Sequence, residues 1–204
     1  MGRKTFFTAS NIAKGIIQFI SNTLLVYSTL VEWVSLTAYR ELKVSIERSL
    51  RTRKCIYPYL DFGQKGGFEK RFAESVLEKD SGVSAYVKLD QYVHRFSIAY
   101  LDNKGFIGRY YPDFLVKTGE AMFIFETKSE KDAYNDVDVK SKMIAAQQFC
   151  RTVSNANNHP KGQPKIWRYV LLPENIANEL EGHSFKSIVE RAESFMSNLL
   201  WAVK

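Results

Sequence analysis

YYPDFLVKTGEAMFIFETK, residues 110 to 128, reads as two apolar strands joined by the turn Thr118-Gly119-Glu120. A plain core hairpin holds no charge, yet this one carries Asp113, Glu126 and Lys128. Side chains two apart on a strand share a face, so Glu126 and Lys128 project to one side while Phe123 and Phe125 project to the other. Asp113, on the partner strand, can be brought beside them across the hairpin. Two carboxylates and a lysine at one point make a site for a hard divalent cation, and water held there can be activated for attack on a phosphodiester.

The bare pattern of an acid, any residue and a lysine is weak. It occurs four times: at Glu41-Leu42-Lys43, Asp102-Asn103-Lys104, Glu126-Thr127-Lys128 and Asp138-Val139-Lys140. The first lies in a basic N-terminal arm, the second in a hairpin turn, the fourth at a helix start, all ordinary solvated places. Only Glu126 ends an apolar strand, and only it has a Pro-Asp pair, Pro112-Asp113, on a neighbouring strand. Charge buried there is costly unless paired or used to hold a metal. The plainer reading, a Glu126 to Lys128 ion pair at a strand end, stands beside it.

At 204 residues and 45% hydrophobic, the chain can bury a core of ordinary domain size. Cys55 and Cys150 stand far apart, and His94, His159 and His183 are scattered, so neither a disulfide framework nor a zinc cluster is offered. A reducing cytoplasm is the expected compartment. The net charge is +7, and its distribution is uneven: residues 1 to 60 hold nine Lys/Arg against three Asp/Glu, while the rest of the chain holds twenty against nineteen. A basic arm on a near-neutral body suits a polyanion such as nucleic acid, or is simply a solvated face.

From Ser10 to about Leu50 the spacing of Ile12, Ile16, Phe19/Ile20, Thr23, Val26/Tyr27 and Leu30/Val31 predicts a helical arm over residues 1 to 60. The apolar run Ile16 to Val34 is weighed as a membrane span, but Gln18, Ser21, Asn22, Thr23, Ser28, Thr29 and Glu32 interrupt it, and no membrane association is expected. Residues 56 to 67, with Pro58 and three glycines, read as a linker before a body of residues 61 to 204. Phe68, Phe72 and Val76 then predict an amphipathic helix. Strands follow at Val83 to Leu89, Arg95 to Leu101, Gly108 to Lys117 and Ala121 to Thr127, most simply as an antiparallel meander. An acidic turn-rich stretch leads to a helix from Val139 to Ser154, a strand from Lys165 to Leu172 and a closing helix from Phe185 to Ala202. The order gives an α/β or α+β sandwich around one mixed sheet. His94 reads as a strand-end histidine and Trp167 as core; Tyr110 and Tyr111 could stack on a base, with one of them facing inward.

This order of elements, with Pro112-Asp113 on one strand and Glu126-Thr127-Lys128 ending the next, resembles the PD-(D/E)xK nuclease superfamily. Gly66-Gly67-Phe68-Glu69-Lys70-Arg71-Phe72, Ala85-Tyr86-Val87-Lys88-Leu89, Tyr110 to Val116 and Phe125 to Lys128 are similar to the C-terminal endonuclease domain of type III restriction enzyme subunits, over about residues 56 to 172. The resemblance implies a restriction-endonuclease-like mixed sheet of four to five strands flanked by helices. It implies that Asp113 and Glu126 ligate Mg2+, with the Thr127 backbone carbonyl as a further oxygen and Mn2+ able to substitute. Lys128 would orient or deprotonate the attacking water and help neutralise the phosphate. Glu69 matches the acid often carried on the first helix, and Gln147 lies where some relatives place a supporting glutamine.

The implied activity is Mg2+-dependent hydrolysis of double-stranded DNA, leaving a 5′-phosphate and a 3′-hydroxyl. Implied partners are a helicase or translocase domain and a methyltransferase or specificity subunit, since the chain has no G-x-x-x-x-G-K-[ST] phosphate loop. Arg40, Lys43, Arg51, Arg53 and Lys54 of the arm, with Arg109 on the body, are the candidate DNA contacts. Two alternatives stay open: a structure-selective or repair nuclease of the same superfamily, and a non-catalytic nucleic-acid-binding module with this fold.

Overall fold

A computed structural model of the chain describes residues 4–8, 17–20, 32–35, 41–64, 67–94, 96–157, 159–179 and 181–201. Its centre is a four-stranded mixed sheet of β7 (Val83–Lys88), β10 (Phe114–Thr118), β11 (Ala121–Lys128) and β12 (Ile166–Pro173). β10 lies antiparallel between β7 and β11, and β12 runs parallel to β11. The hydrophobic run of β11 has its physical reason here: every residue from Ala121 to Thr127 is buried, as a strand covered on both faces requires. Between β11 and β12 the chain forms α3 (Val139–Ser154), whose buried stripe Val139, Met143, Ala146, Cys150 and Val153 is the one its spacing predicts.

One face of the sheet is sealed by aromatic packing. Phe125 stacks against Phe72 of α1 (Gly67–Phe72) at 5.2 Å between centroids and against Phe185 of α5 (Phe185–Trp201) at 5.5 Å. Phe72 also meets Phe114 of β10 edge-on. Alternation sends Ile124 and Glu126 to the other face, with Tyr169 of β12 in register with Ile124. The helix predicted over Phe68 to Leu77 is split: after Phe72 it widens into one π-helical turn, Ala73–Leu77. Two short helices fall where none is predicted, α2 (Glu130–Asn135) in the acidic stretch and α4 (Glu174–Glu179) after β12.

Two expectations need correction. Arg95 to Leu101 and the start of Gly108 to Lys117 do form the hairpin that the turn Asp102 to Gly105 marks, but they do not extend the main sheet as a meander. Instead β8 (Ile98–Leu101) and β9 (Ile107–Tyr110) pair with each other as a separate ribbon, and β7 pairs directly with β10. Pro112 divides β9 from β10: it has no N–H to give a ladder. The ribbon is held tight by Gly108, where a Cβ would stand 2.7 Å from the Tyr100 ring across the pair.

The second concerns only the described residues of the arm, which form strands. β1 (Lys4–Thr8) pairs with β4 (Glu41–Ser45), β2 (Ile17–Ile20) with β3 (Glu32–Ser35), and β5 (Ser49–Arg51) with β6 (Tyr59–Asp61), all antiparallel. Over 41–51 the reason is a period of two: Leu42 and Val44 are buried and Lys43 between them is exposed. The Ser45 N–H donates to the Asp61 carboxylate at 2.9 Å. The rest of the predicted helical arm, Arg40 included, lies outside the described residues. The first half of the predicted linker is core, since Ile56, Tyr57 and Leu60 are fully buried. The Ile56 N–H donates to the Tyr86 carbonyl and the Tyr86 N–H to the Lys54 carbonyl, so this segment bridges the outer edge of β7. Among the described residues no helix is long and apolar enough to cross a membrane.

His94 is 0% exposed. Its Nδ1 accepts from the Asp90 backbone N–H at 2.8 Å, which leaves the proton on Nε2, 3.0 Å from the Tyr57 hydroxyl. Burial pulls its pKa down to about 4, so it packs as a neutral ring.

Candidate active site

The polar residues gather where β7, β10 and β11 end. Asp113 is fixed from both sides of its backbone: its N–H donates to the Phe125 carbonyl at 3.0 Å, and its carbonyl accepts from the Leu89 N–H at 2.7 Å. Its side chain is fixed by Thr127, whose backbone N–H and hydroxyl both donate to Asp113 Oδ2 at 2.7 Å. The hairpin thus brings Asp113 to the Glu126-Thr127-Lys128 end, as its length predicts.

Glu126 is only 5% exposed. Its Oε1 lies 2.7 Å from Lys128 Nζ, while Oε2 is buried without a hydrogen-bond partner. The hydroxyl of buried Tyr110 makes no hydrogen bond of full geometry, but it lies near enough to the Glu126 carboxylate to help hold its pKa down, and the Tyr110 ring stands edge-on to that of Tyr169 at 6.2 Å. Burial, then the nearby Asp113 charge, pushes the Glu126 carboxyl up to about 8 against the pull of Lys128. Asp113 is raised too, first by burial and then by the charge of Glu69; the Thr127 donors and Lys88 oppose this. Burial alone would lower Lys128, but Glu126, Asp113 and Asp136 outweigh it and its pKa rises. The lysine is therefore an ammonium at neutral pH. Its strand ends at once in a cap, with Ser129 Oγ accepting from the Asp132 N–H at the start of α2.

Glu69, in the first turn of α1, faces the same end of the sheet from the Phe125 side. Its Oε2 is 3.0 Å from Lys88 Nζ of β7, an ion contact whose angle leaves that oxygen without a hydrogen bond. Lys88 is the functional candidate that the sequence reading does not single out. Alternation alone makes it the solvent-facing residue of β7 beside Val87, and only the packing of α1 sets Glu69 across from it.

A divalent cation is testable against these donors. The set is oxygen-only, as Mg2+ and Mn2+ prefer, and the partnerless buried Glu126 Oε2 is an oxygen that a cation would satisfy. Among the described residues no three His, Cys, Asp or Glu side chains already stand together as a metal-holding group. What is offered is Asp113, Glu126 and the Thr127 carbonyl, the donors named from sequence, with Glu69 held off by Lys88.

The other candidates are placed elsewhere. Gln147 is half-buried on α3 and lines a cleft of about 420 Å³ beside β12, with Arg151, Trp167, Arg168, Tyr169 and Glu193; Asp113, Glu126 and Lys128 are not in its walls. Lys43, Arg51, Arg53 and Arg109 are exposed, and Arg109 also donates to Ser97 Oγ. Lys54 is half-buried, its ammonium bonded to the Asp80 carbonyl, so it serves the fold. Tyr111 is exposed and Tyr110 buried, the division expected of that pair. No family model, curated protein or solved structure matches the chain.

Proposed function

We propose that this chain is a Mg2+-dependent DNA endonuclease domain, the cleavage module of a type III restriction system, working in the cytoplasm with a translocase domain and a methyltransferase or specificity subunit. The observation that carries the reading is the buried end of β11. There the Asp113 charge helps raise the pKa of Glu126, and the two carboxylates would accept a shared cation, with Lys128 2.7 Å from Glu126. The sheet order supports the same reading: a helix, three antiparallel strands, a helix and a parallel fourth strand follow the order from which the superfamily resemblance was drawn.

In this mechanism Asp113, Glu126 and the Thr127 carbonyl would hold the cation. When bound, it supplies positive charge for the transition state and a stronger nucleophile at neutral pH. Thr127 orients Asp113 through its two donors, so the carboxylate meets its ligand without reorganising. Lys128, protonated, gives charge and a donor to the attacking water or the phosphate rather than taking a proton. The test is Lys128→Ala: a folded variant that binds DNA as the parent does is expected to lose Mg2+-dependent cleavage, and parental cleavage by it would remove Lys128 from the chemistry.

One observation favours a second reading. Glu126 is paired to Lys128 and Glu69 to Lys88, the arrangement of a nucleic-acid-binding module that keeps the fold and not the reaction. Calorimetric titration with Mn2+ separates the two: the nuclease reading requires a site that Asp113→Asn abolishes, the binding module none.

A further inference from the structure

The β8–β9 ribbon has a packed face and an exposed one, divided by strand alternation. The cross-strand pairs Ile98 with Tyr110 and Tyr100 with Gly108 turn inward; Ala99 with Arg109 and Leu101 with Ile107 turn outward. Inward, Ile98 and Tyr110 are buried, and the Tyr100 ring lies 5.5 Å from the Lys142 ammonium of α3. Outward, Leu101 is 61% exposed and Ile107 70%, and Phe106 at the tip is 68% exposed. Three large apolar side chains thus meet solvent at one end of the ribbon, where a single exposed one would need no explanation. The turn that carries them is fixed: Asp102 Oδ1 accepts from the Lys104 and Phe106 N–H groups at 2.9 and 2.8 Å, and Asp138 Oδ1 accepts from the Asn103 N–H at 3.2 Å. Side chains held out on a fixed turn lose little freedom on docking.

The same alternation sorts the charges. Asp102, half-buried, falls on the Tyr100 side, away from Leu101 and Ile107. Arg109 is the charged residue of the outward face, and Lys104 is exposed at the turn. Arg109 gives one donor to Ser97 Oγ at 3.2 Å, which steadies a guanidinium that has four more. β9 also leads straight into the site: Tyr110, whose hydroxyl lies near the Glu126 carboxylate, ends it, exposed Tyr111 follows, and Asp113 comes two residues later. An outward face with a cation and no carboxylate complements a phosphate backbone. Proteins that engage the DNA minor groove drive Phe, Leu or Ile between base steps and set Arg in the groove. A partner protein would account for the apolar tip, but not for its place on the strand that delivers Asp113.

We propose that the β8–β9 ribbon is a DNA wedge: Phe106 and Ile107, backed by Leu101, enter the minor groove between base steps and bend the duplex, while Arg109 holds a backbone phosphate on the way to Asp113. This rests on the nuclease reading above and adds how a duplex is held and shaped beside that site.

The test is binding of the full chain to a short DNA duplex with a fluorophore at each end, in EDTA so that nothing is cut, across a salt series. Energy transfer between the ends reads bending, anisotropy reads affinity, and thermal unfolding establishes that each variant is folded. The parent is expected to bring the ends closer on binding. The double variant Phe106→Ala with Ile107→Ala should bind about tenfold more weakly and leave the duplex straight. Arg109→Gln should also bind about tenfold more weakly, with the slope of log affinity against log salt smaller by about one, and still bend the duplex it binds. Leu101→Glu, which sets a carboxylate against the phosphates, should weaken binding as well. If the double variant binds and bends the duplex as the parent does, the apolar tip serves a partner protein and the proposal is overturned. A parent that binds without bending, or an Arg109→Gln salt slope equal to the parent's, overturns it too; both results leave the nuclease reading standing. If the parent binds no duplex, that reading fails and this proposal with it.

Discussion

Lys128 Nζ stands 2.7 Å from Glu126 Oε1, and the other oxygen of that carboxylate is buried with nothing bonded to it. The pair is half-made: one oxygen is neutralised, and the other is kept from water at a cost in stability. A carboxyl pushed up to about 8 when folded, against 4.5 when unfolded, holds its proton more tightly in the native state. Its contribution therefore favours folding below pH 4.5 to 5 and is lost as pH rises through 8. In EDTA, Glu126→Gln is expected to be more stable than the parent at pH 9, with the gap closing toward pH 5. Thermal unfolding across that range checks it, and a variant less stable at every pH would contradict the assignment of Glu126 as a strained group.

His94 carries the opposite dependence. Its pKa is lowered from 6.5 to about 4, so the unfolded chain takes up the proton first, and stability falls as pH drops from 6.5 toward 4. The loss is on the order of 3 kcal/mol, from 1.36 kcal/mol per pKa unit. His94→Gln keeps hydrogen-bonding atoms without titrating and should remove most of that acid sensitivity, as denaturant melts at pH 7 and pH 4.5 would reveal.

Thr127→Val removes the hydroxyl but keeps the shape and the backbone N–H donor to Asp113. Loss of one hydrogen bond to a charged group should cost about 1.5–3 kcal/mol of stability. Cleavage should fall further than stability does, because Asp113 is then held by one donor. Thr127→Ser should restore both, and chemical denaturation alongside a cleavage assay distinguishes these effects.

Phe125 joins the site to the core, its ring between Phe72 and Phe185. Phe125→Ala should destabilise the fold by about 3–5 kcal/mol, the usual cost of an aromatic cavity. Phe125→Leu should cost much less and keep the Asp113 N–H to residue 125 carbonyl bond, hence the site.

The parts of this fold legible in the sequence are those whose local pattern and tertiary role agree. The uninterrupted apolar run of β11 marks a strand buried on both faces, and the stripe from Val139 to Val153 marks α3 to the residue. That Pro112-Asp113 and Glu126-Thr127-Lys128 lie side by side was legible because a hairpin fixes its own partners. Partnering between distant strands was not legible. The turn Asp102 to Gly105 marks the β8–β9 hairpin, but nothing in residues 95–110 states that this hairpin leaves the sheet and lets β7 pair with β10, and α2 is too short for periodicity to mark. Lys88 had no local signal, since a lysine at a strand end reads as solvated until α1 brings Glu69 to it. The helical spacing of the arm rests on Ile12 to Val31, while over 42–44 burial follows a period of two.

The central claim is that the end of β11 is a cation-dependent phosphodiesterase site, and nicking of supercoiled plasmid DNA by the purified chain in Mn2+ tests it most directly. The account predicts conversion to open circles by the parent, none in EDTA, and none by folded Asp113→Asn or Lys128→Ala. Plasmid left intact by the parent, or nicked equally by both variants, would contradict it.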